Sequence, residues 1–491
     1  MTFWKLVSDA AEAAPGRVLL ADDHGRSLTT VGLRDAAERV AAGLPVRPGT
    51  VVSWQLPTTI EAVVLLAALA RVGAVQNPII PILREREVGL ITKAVGTELF
   101  ITAEMWRGFG HAAMARDLGL DVVSIDLEDG AGDGLRLPAG DPAALPAPPR
   151  SAAECRWLYF TSGTTAEPKG ARHCDESVMA SARGMNDHLG FGDGDVYPIA
   201  YPITHIGGMT MTTAALRRGG RLVLLDTWDP AVSPERVAAH RPTILGTAQP
   251  FFRAYLDAQA RHGAEPLFPA LRTCAAGGAP TPPELLRELV EVFGIRGVVN
   301  AYGLTEFPIA TSPLSDDPPE ILAQTVGRPC PGVAVRLVDG ELRLKGPQCF
   351  LGYTDRAQDA AAFDDEGWFR TGDLGETDSH GNVRITGRLK DIILRNAENI
   401  SALEISDILL KHPRIADVAV IGLPDARTGE RVCAVVVPER GRTITLAQVA
   451  EHCRAAGVAR QKHPEQLEIV DVLPRNSMGK ILAQQLRDRF A

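Results

Sequence analysis

The sequence predicts an α/β protein with more than one domain. The chain has 491 residues, which exceeds the size at which a single hydrophobic core stops growing. Short apolar runs typical of strands alternate with segments of helical periodicity, and this alternation is the pattern of α/β layers. Two stretches near residues 337–352 and 379–385 depart from it, because short alternating strands flank tight turns there.

The N-terminal part of the sequence alternates in this way on both sides of one connector. Residues 127–150 are rich in Gly, Pro, Ala and Asp, which is typical of an exposed connector. The predicted elements before the connector are a helix at 60–72 and strands at 76–82 and 98–102. After it follow strands at 156–160, 221–225 and 297–301, with a helix at 283–293.

Two hairpins and a last α/β segment complete the pattern. Asp339-Gly340 between alternating residues is a strong hairpin signal, and a second turn is expected at 379–382. The last hundred or so residues predict strands at 418–421 and 432–437 and helices at 446–456 and from about 481. Thr445 and Gln448 have the spacing of a capping box for the first of these helices. A domain boundary is expected near 387–391.

Composition and charge exclude several classes of protein. A net charge of −9 argues against a general nucleic-acid binder, which needs a basic surface. The apolar run at 62–70 is too short to span a bilayer, and the first 17 residues carry charges where a signal peptide is apolar. The seven cysteines are scattered without a CxxC pair, so no zinc site or disulfide framework is indicated. We therefore expect a cytoplasmic protein.

The most informative segment is the loop from Thr161 to Lys169, which follows the strand at 156–160. Its hydroxyls, glycines and single lysine are the groups that bind a polyphosphate. It is not a Walker loop, because Lys169 is followed by Gly170 and Ala171 rather than by Ser or Thr. Taken alone, the segment could also be an ordinary polar turn, although the phosphate-binding interpretation is favoured.

Five other segments carry groups suited to a nucleotide, although each alone is compatible with a turn or a solvated surface. They are Gly277-Gly278-Ala279-Pro280, Tyr302-Gly303-Leu304-Thr305-Glu306, Thr371-Gly372-Asp373 with Gly387-Arg388-Leu389-Lys390-Asp391, and Asn476-Ser477-Met478-Gly479-Lys480. Small residues allow the backbone to approach a planar ligand, and a tyrosine ring offers a flat face. Carboxylates suit Mg²⁺ or ribose hydroxyls, and a lysine on a Gly-containing loop offers a movable positive charge.

These motifs occur together in one order, and the chain resembles the acyl-adenylate-forming superfamily of acyl-CoA synthetases, peptide-synthetase adenylation domains and luciferases. The resemblance covers nearly the whole chain. It implies an N-terminal domain (1–387) of two α/β subdomains plus a small β-barrel, a hinge (388–391) and a small mobile α+β C-terminal domain (392–491).

The resemblance also implies a role for each motif residue. Thr161, Ser162, Gly163, Thr164, Thr165 and Lys169 would hold the β- and γ-phosphates of ATP. Adenine would lie between Gly278-Ala279-Pro280 and Tyr302, with the ribose on Asp373 and Arg388. Thr305 would touch the α-phosphate, and Glu306 would bind Mg²⁺. Lys480 would bridge the substrate carboxylate and the α-phosphate, Lys390 would be the hinge, and His205 would lie beside the acyl pocket.

The implied reaction joins two anions, a carboxylate and ATP, so the enzyme must supply positive charge at the α-phosphate. We expect an AMP-forming ligase with ATP/AMP, Mg²⁺ and coenzyme A, acting on a small-molecule carboxylic acid. Residues 76–81 resemble the cyclohexane-carboxylate and medium-chain branch, which favours an apolar acid, either alicyclic or medium-chain. Pairing of two copies into a homodimer is compatible with this interpretation.

Two alternatives stay open. The first is an enzyme of one half-reaction, either adenylation for a separate carrier protein or thioesterification of a pre-formed acyl-AMP. The second is a nucleotide-binding protein without turnover, which the presence of Lys480, Glu306 and Asp373 disfavours. Two departures from the family pattern bear on the half-reactions, because Ala166 and Ala397 stand where the family usually has glycine.

Overall fold

The structure is a computed structural model that describes residues 1–127, 134–161, 168–279, 281–395, 398–425, 427–476 and 479–491, without the side chain of Glu398. The helices of this part of the chain are α1 (Phe3–Ala13), α2 (Thr30–Gly43), α3 (Ile60–Val72), α4 (Glu85–Val95), α5 (His111–Asp117), α6 (Asp175–Arg183), α7 (Ile206–Arg218), α8 (Ser233–Ala239), α9 (Gln249–His262), α10 (Pro283–Phe293), α11 (Pro319–Gln324), α12 (Asp359–Ala362), α13 (Ala402–Leu409), α14 (Leu446–Ala455) and α15 (Ala483–Phe490).

The strands in the same ranges belong to several sheets. They are β1 (Val18–Asp22), β2 (Ser27–Thr29), β3 (Val51–Gln55), β4 (Val75–Pro78), β5 (Leu99–Ala103), β6 (Val122–Ile125), β7 (Cys155–Thr161), β8 (Lys169–Cys174), β9 (Val196–Ile199), β10 (Arg221–Leu224), β11 (Ile244–Thr247), β12 (Thr273–Ala276), β13 (Val298–Asn300), β14 (Thr311–Ser312), β15 (Arg328–Pro329), β16 (Ala334–Val338), β17 (Glu341–Lys345), β18 (Phe369–Thr377), β19 (Val383–Arg388), β20 (Ile392–Arg395), β21 (Glu398–Ser401), β22 (Ile415–Asp425), β23 (Gly429–Pro438) and β24 (Gln466–Ile469).

The first sheet has the order β6-β5-β3-β4-β7-β8, and only the edge strand β8 runs antiparallel to its neighbour. Helix α3 connects β3 to β4 over the range that the sequence predicted. Thr59 caps its start, and Gly73 ends it in the left-handed region with a φ of 82°. Strand β4 is shorter than the predicted 76–82, because Pro78 and Pro81 have no N–H to donate to a strand ladder.

Two further parallel sheets continue the N-terminal domain. Strands β1, β10 and β9 run parallel with the hairpin partner β2 at the edge, and β11, β12 and β13 form a three-stranded parallel sheet. The predicted strands at 221–225 and 297–301 and the helix at 283–293 are present, with strand ends that differ by one residue. Parallel strands end together, so the loops after them meet at one edge of each sheet.

An antiparallel sheet with the order β16-β17-β18-β19 follows, in the part of the sequence where the resemblance implied a small barrel. Its first hairpin turns at Asp339 and Gly340, whose φ angles of 51° and 79° are those of the tight hairpin turn that Asp-Gly predicts. The second predicted turn is also present before β19, where Gly381 has a φ of 79°.

The C-terminal sheet has the order β21-β20-β23-β22, with β24 parallel to β23. Alternate residues of β22 and β23 face opposite sides, which gives two cores. Val418 and Val436 pack with α13 and α14, whereas Ile421 and Val435 pack with α15. Strands β22 and β23 extend beyond their predicted ranges because they pair along their full length as one hairpin. The capping box at Thr445 is confirmed.

The C-terminal part contacts the N-terminal part through an ion pair between α10 and the residues after α13. Lys411 Nζ lies 3.7 Å from Glu284 Oε1 of α10. A short turn at Leu389–Asp391 connects β19 to β20, and Arg487 of α15 pairs with Asp391 at 3.2 Å. The predicted α/β class, with a large N-terminal and a small C-terminal domain, is confirmed. None of the helices in the described ranges has the length and apolar character needed to cross a bilayer.

Candidate active site

The loop predicted to bind phosphates connects two paired strands. Thr161 at the end of β7 and Lys169 at the start of β8 lie opposite each other in the antiparallel register. The intervening Ser162, Gly163, Thr164, Thr165 and Ala166 lie outside the described residues, as do Pro280 and Ala397. The positions of Thr161 and Lys169 place the two ends of the loop beside each other.

Tyr353, which the sequence analysis did not identify, contacts both Lys169 and Glu306. The Lys169 ammonium lies 5.3 Å from the ring centroid of Tyr353. The Tyr353 hydroxyl donates a 2.8 Å hydrogen bond to Glu306 Oε1, and Glu306 is only 8% exposed. Burial raises the pKa of Tyr353, and the Glu306 carboxylate adds to the shift, so the hydroxyl keeps its proton. No motif marked Tyr353, because its partner lies 47 residues away in sequence.

A buried histidine, also missed, fixes the backbone of Thr305. His173 Nε2 lies 2.8 Å from the Thr305 carbonyl oxygen, and His173 Nδ1 lies 2.9 Å from Ser177 Oγ. His173 is 0% exposed, and burial lowers its pKa to about 4. The neutral ring therefore donates from Nε2 to the carbonyl. No sequence pattern marked His173, because it follows the charged Arg172 in β8 and its partner Thr305 is distant in sequence.

Asp373 has both of its carboxylate oxygens engaged. The Tyr302 hydroxyl donates to Asp373 Oδ2 at 2.6 Å, and Arg388 Nε donates to Asp373 Oδ1. Asp373 and Arg388 are opposite each other in the β18–β19 register, which sets this pair. Asp373 is 3% exposed, so its charge is stabilised by these partners rather than by water. The two predicted ribose residues and the predicted adenine residue therefore form one cluster.

The small residues after β12 lie beside the segment that carries Tyr302. Ala276 of β12 pairs with Asn300 of β13, so Gly277 and Tyr302 follow neighbouring parallel strands. Gly278 has a φ of 79°, a conformation that side-chain-bearing residues rarely adopt. A Cβ on Gly277 would lie 3.3 Å from the Ala301 carbonyl oxygen. The backbone here is thus kept free of side-chain bulk, as a planar ligand requires.

His205 caps the start of α7 and lines a small apolar cavity. Its Nδ1 accepts a 3.1 Å hydrogen bond from the Gly207 N–H, and burial lowers its pKa to about 4, so the ring is neutral near pH 7. The cavity also reaches Thr305 and has a volume of about 20 Å³, enough for one water molecule. Its remaining walls are mostly apolar and include Pro78, Ile79, Ile80, Leu83, Tyr159 and Ile206.

Lys480 enters this region from the C-terminal domain. Burial lowers the pKa of its ammonium to about 8, and the nearby cations Arg388 and Lys390 act in the same direction against Asp373 and Asp391. A Cβ on Gly479, which has a φ of 78°, would lie 3.0 Å from Pro250 Cδ of the N-terminal domain. Gly479 therefore lies against the start of α9, and Lys480 lies near the Asp373 cluster.

The predicted hinge residue lies in the turn between β19 and β20. Burial lowers the pKa of Lys390, and the neighbouring Arg388 adds to the shift. Phe251, Phe252, Met209 and Ala310 are candidates from the sequence for the walls of the acyl pocket, but none of them lines the cavity of His205. Phe252 and Met209 are fully buried in the main core, and Ala310 is fully buried in the core of the antiparallel sheet.

The residues present fit the magnesium ion that the resemblance implies. One oxygen of Glu306 is held by Tyr353, which orients the carboxylate. A buried carboxylate is a hard oxygen donor of the kind Mg²⁺ prefers, and one protein carboxylate with substrate phosphates is a common ligand set for this ion.

Comparisons with known proteins identify the family of the chain. The AMP-binding enzyme family matches residues 7–354, and the AMP-binding enzyme C-terminal domain matches residues 404–480. The medium-chain fatty-acid–CoA ligase of Escherichia coli (strain K12) is 31% identical to this chain. The alignment covers 99% of this chain and 89% of the relative. The salicyl-AMP ligase / salicyl-S-ArCP synthetase of Mycobacterium tuberculosis is 33% identical over 516 residues, covering 97% and 88%.

Among solved structures, ATP-bound MatB from Rhodopseudomonas palustris is similar over the whole length. Its TM-score is 0.87 at 28% identity, and the match covers 100% of this chain and 99% of that chain. The occurrence of CoA ligases among the relatives supports the prediction of an ATP-dependent carboxylate–CoA ligase. The match of the family to most of the chain confirms the resemblance inferred from the motifs: the protein belongs to the AMP-binding enzyme family.

Proposed function

We propose that the protein is a cytoplasmic acyl-CoA ligase that activates an apolar carboxylic acid, medium-chain or alicyclic, through acyl-AMP. The observation that carries the proposal is the position of Lys480. Lys480, a half-buried lysine from the C-terminal domain, lies near Asp373 and Arg388, where the resemblance expects the ribose and the α-phosphate. A positive charge at that position is what the meeting of two anions requires.

In the first half-reaction, a carboxylate oxygen of the acid attacks the α-phosphorus of ATP. The bond from the α-phosphorus to the oxygen that bridges to the β-phosphate breaks, and pyrophosphate leaves with that oxygen. Lys480 offsets the charge on the carboxylate and the α-phosphate, and Thr305, held by His173, offers its hydroxyl to the same phosphate. No general base is needed, because a carboxylate is already ionised at neutral pH.

Other residues hold the nucleotide in place. The loop from Thr161 to Lys169 would bind the β- and γ-phosphates, and adenine would lie between Gly278-Ala279 and Tyr302. Asp373 would accept hydrogen bonds from the ribose hydroxyls on lone pairs left by Tyr302 and Arg388. Glu306 would hold Mg²⁺, which when bound adds positive charge at the triphosphate.

In the second half-reaction, the thiolate of coenzyme A attacks the acyl carbonyl, and AMP leaves as the mixed anhydride bond breaks. Lys480 lies near the adenylation site and would obstruct this attack, so the C-terminal domain would rotate about Lys390. Arg427 and Arg431 are candidates for the phosphates of coenzyme A. Arg427 is exposed, whereas Arg431 Nε already donates to Gln466 Oε1 at 2.7 Å, which makes Arg427 the better candidate.

Two observations support an apolar acid. The cavity beside His205 and Thr305 has apolar walls, and residues 78–80 of those walls belong to the segment that resembles the medium-chain branch. The E. coli relative is a medium-chain fatty-acid–CoA ligase. Because the cavity holds only about one water molecule, the side chains around it would have to move to admit the acyl chain.

A second candidate function is adenylation for a carrier protein. It is favoured by one observation, the 33% identity to a salicyl-AMP ligase / salicyl-S-ArCP synthetase. The two functions share the first half-reaction and differ in the acceptor of the acyl group.

One set of assays tests both. The protein is incubated with ATP, Mg²⁺ and octanoate, cyclohexanecarboxylate, salicylate or acetate, and pyrophosphate, acyl-hydroxamate with added hydroxylamine, and acyl-CoA are measured. We expect all three products with octanoate or cyclohexanecarboxylate. Acyl-hydroxamate without acyl-CoA would support the carrier-dependent enzyme, and turnover of salicylate or acetate alone would contradict the apolar substrate. Nucleotide binding without any product would refute both functions.

A further inference from the structure

A second cluster of metal-ligating side chains lies at the carboxyl ends of β1 and β10. These strands are parallel neighbours, and Asp22 at the end of β1 pairs with Leu224 at the end of β10. The chain turns after each of them, so Asp23 and His24 from one turn meet Asp226 from the other. The cluster shares no residue with the candidate active site.

The three ligand atoms lie close together, and the two distances from His24 match the spacing of ligands around a tetrahedral metal ion. One oxygen or nitrogen from each residue lies within 4.8 Å of the other two. His24 Nε2 is 3.4 Å from Asp226 Oδ2 and 3.6 Å from Asp23 Oδ1. Two ligands bound to zinc at its usual distances and at tetrahedral angles lie about 3.4 Å apart, so both measured distances are close to what such an ion imposes.

Asp23 gives an independent reason to expect a cation. Its side chain is only 2% exposed, and Arg236 Nη1 lies 3.2 Å from Oδ2. The other oxygen, Oδ1, is buried and has no hydrogen-bond partner in the part of the chain that the structure describes. An unsatisfied buried carboxylate oxygen is costly, and a cation between Oδ1, His24 and Asp226 would satisfy it.

The surroundings support the site without filling it. Asp22 Oδ1 accepts hydrogen bonds from the backbone N–H of His24 at 3.1 Å and of Arg26 at 2.8 Å, which holds the turn in shape. The charge of Arg26 is directed elsewhere, to Asp22 Oδ2 and to Glu61. Asp23 and Asp226 together carry two negative charges, and Arg236 offsets one of them. The side chains of His24 and Asp226 are 55% and 31% exposed, so a water can reach a fourth position.

We propose that Asp23 Oδ1, His24 Nε2 and Asp226 Oδ2 bind one Zn²⁺ ion, with a water as fourth ligand. The ion ties the β1–β2 hairpin to the loop after β10. Three protein ligands of the nitrogen and oxygen type with one open position are a common zinc arrangement. Without an ion, the same three side chains would only contact one another, and the experiment distinguishes these two interpretations.

The experiment uses the full chain, treated with a chelator and free of nucleotide. Zn²⁺ is titrated by calorimetry into the wild type, His24→Ala, Asp226→Asn and the control His262→Ala, which removes an exposed histidine at the end of α9. We expect one Zn²⁺ per wild-type chain. The affinity should be at least about tenfold weaker in the two site variants, because even indirect changes at metal sites cost about tenfold or more. The control should bind Zn²⁺ as the wild type does. Thermal melting should show a Zn²⁺-dependent rise in the wild type and control only.

Three outcomes would overturn the site. The first is no Zn²⁺ binding by the wild type, and the second is equal binding by His24→Ala and the wild type. The third is equal stabilisation of His24→Ala and the wild type by Zn²⁺. Adenylation by His24→Ala should match the wild type, so failure of this proposal and failure of the proposed function give different results.

Discussion

Removal of the Tyr353 hydroxyl tests how Glu306 is held in place. Tyr353→Phe keeps the ring beneath the Lys169 ammonium, at 5.3 Å, and removes only the 2.8 Å hydrogen bond to Glu306 Oε1. Because the acceptor is a largely buried carboxylate, the bond is of the charge-assisted class, worth about 1.5–3 kcal/mol. At 1.4 kcal/mol per factor of ten, the expected loss is about 10- to 150-fold.

The assay is pyrophosphate release at saturating acid with the Mg²⁺–ATP concentration varied. We expect kcat/KM for Mg²⁺–ATP to fall by that factor, while thioester formation from supplied acyl-AMP stays unchanged, because the proposed role of Glu306 belongs to the first half-reaction. The matched control is Tyr255→Phe. Tyr255 is fully buried, and its hydroxyl has no hydrogen-bond partner among the residues described, so its loss removes no bond.

One result would refute the reasoning. If folded Tyr353→Phe releases pyrophosphate within about twofold of the wild type at every Mg²⁺–ATP concentration, the hydrogen bond does not position a group that acts in adenylation. A fall that also affects thioester formation from acyl-AMP to the same extent would indicate a general disturbance of the fold instead.

Three further predictions concern a lysine, a histidine and an aspartate. Lys480→Ala should lower the rate of adenylation by about 10²- to 10³-fold and leave thioester formation from acyl-AMP unchanged. The control is Lys93→Ala, which removes an exposed lysine. An unchanged rate of pyrophosphate release in Lys480→Ala would contradict the role of Lys480. His173→Phe leaves the Thr305 carbonyl without its buried donor, so the free energy of unfolding measured in urea should fall by about 1–3 kcal/mol. An unchanged urea midpoint would exclude a stabilising role for this contact. Burial and the nearby Glu284 raise the pKa of Asp407 to about 6, so the folded state binds this proton more tightly than the unfolded state. The stability that this proton contributes to the folded state is therefore present at low pH and lost as pH rises through about 6. Asp407→Asn should therefore stabilise the protein more at pH 7.5 than at pH 5 in thermal melts, and an equal shift at both values would count against this linkage.

The sequence was most informative where the chemistry lies in short contiguous segments. The alternation of strands and helices gave the α/β class, and Asp339-Gly340 gave a hairpin that the structure contains. The order of the motifs gave the family, which the matches to residues 7–354 and 404–480 confirm. The predicted ends of strands were less accurate. Strand β4 ends at a proline, and β22 and β23 are longer than predicted because they pair along their full length.

The sequence by itself determined which chemical groups the protein carries and the family to which it belongs, since those are properties of local segments. Only the tertiary structure decided which groups meet. Tyr353 and Glu306 are 47 residues apart in the sequence and yet form a hydrogen bond, and His173 and Thr305 do so across 132 residues. Neither contact can be predicted from the spacing of the two residues in the sequence. The physical reason is that such contacts depend on strand register and on the parallel strands that end at one edge, as Asp23 and Asp226 do after β1 and β10.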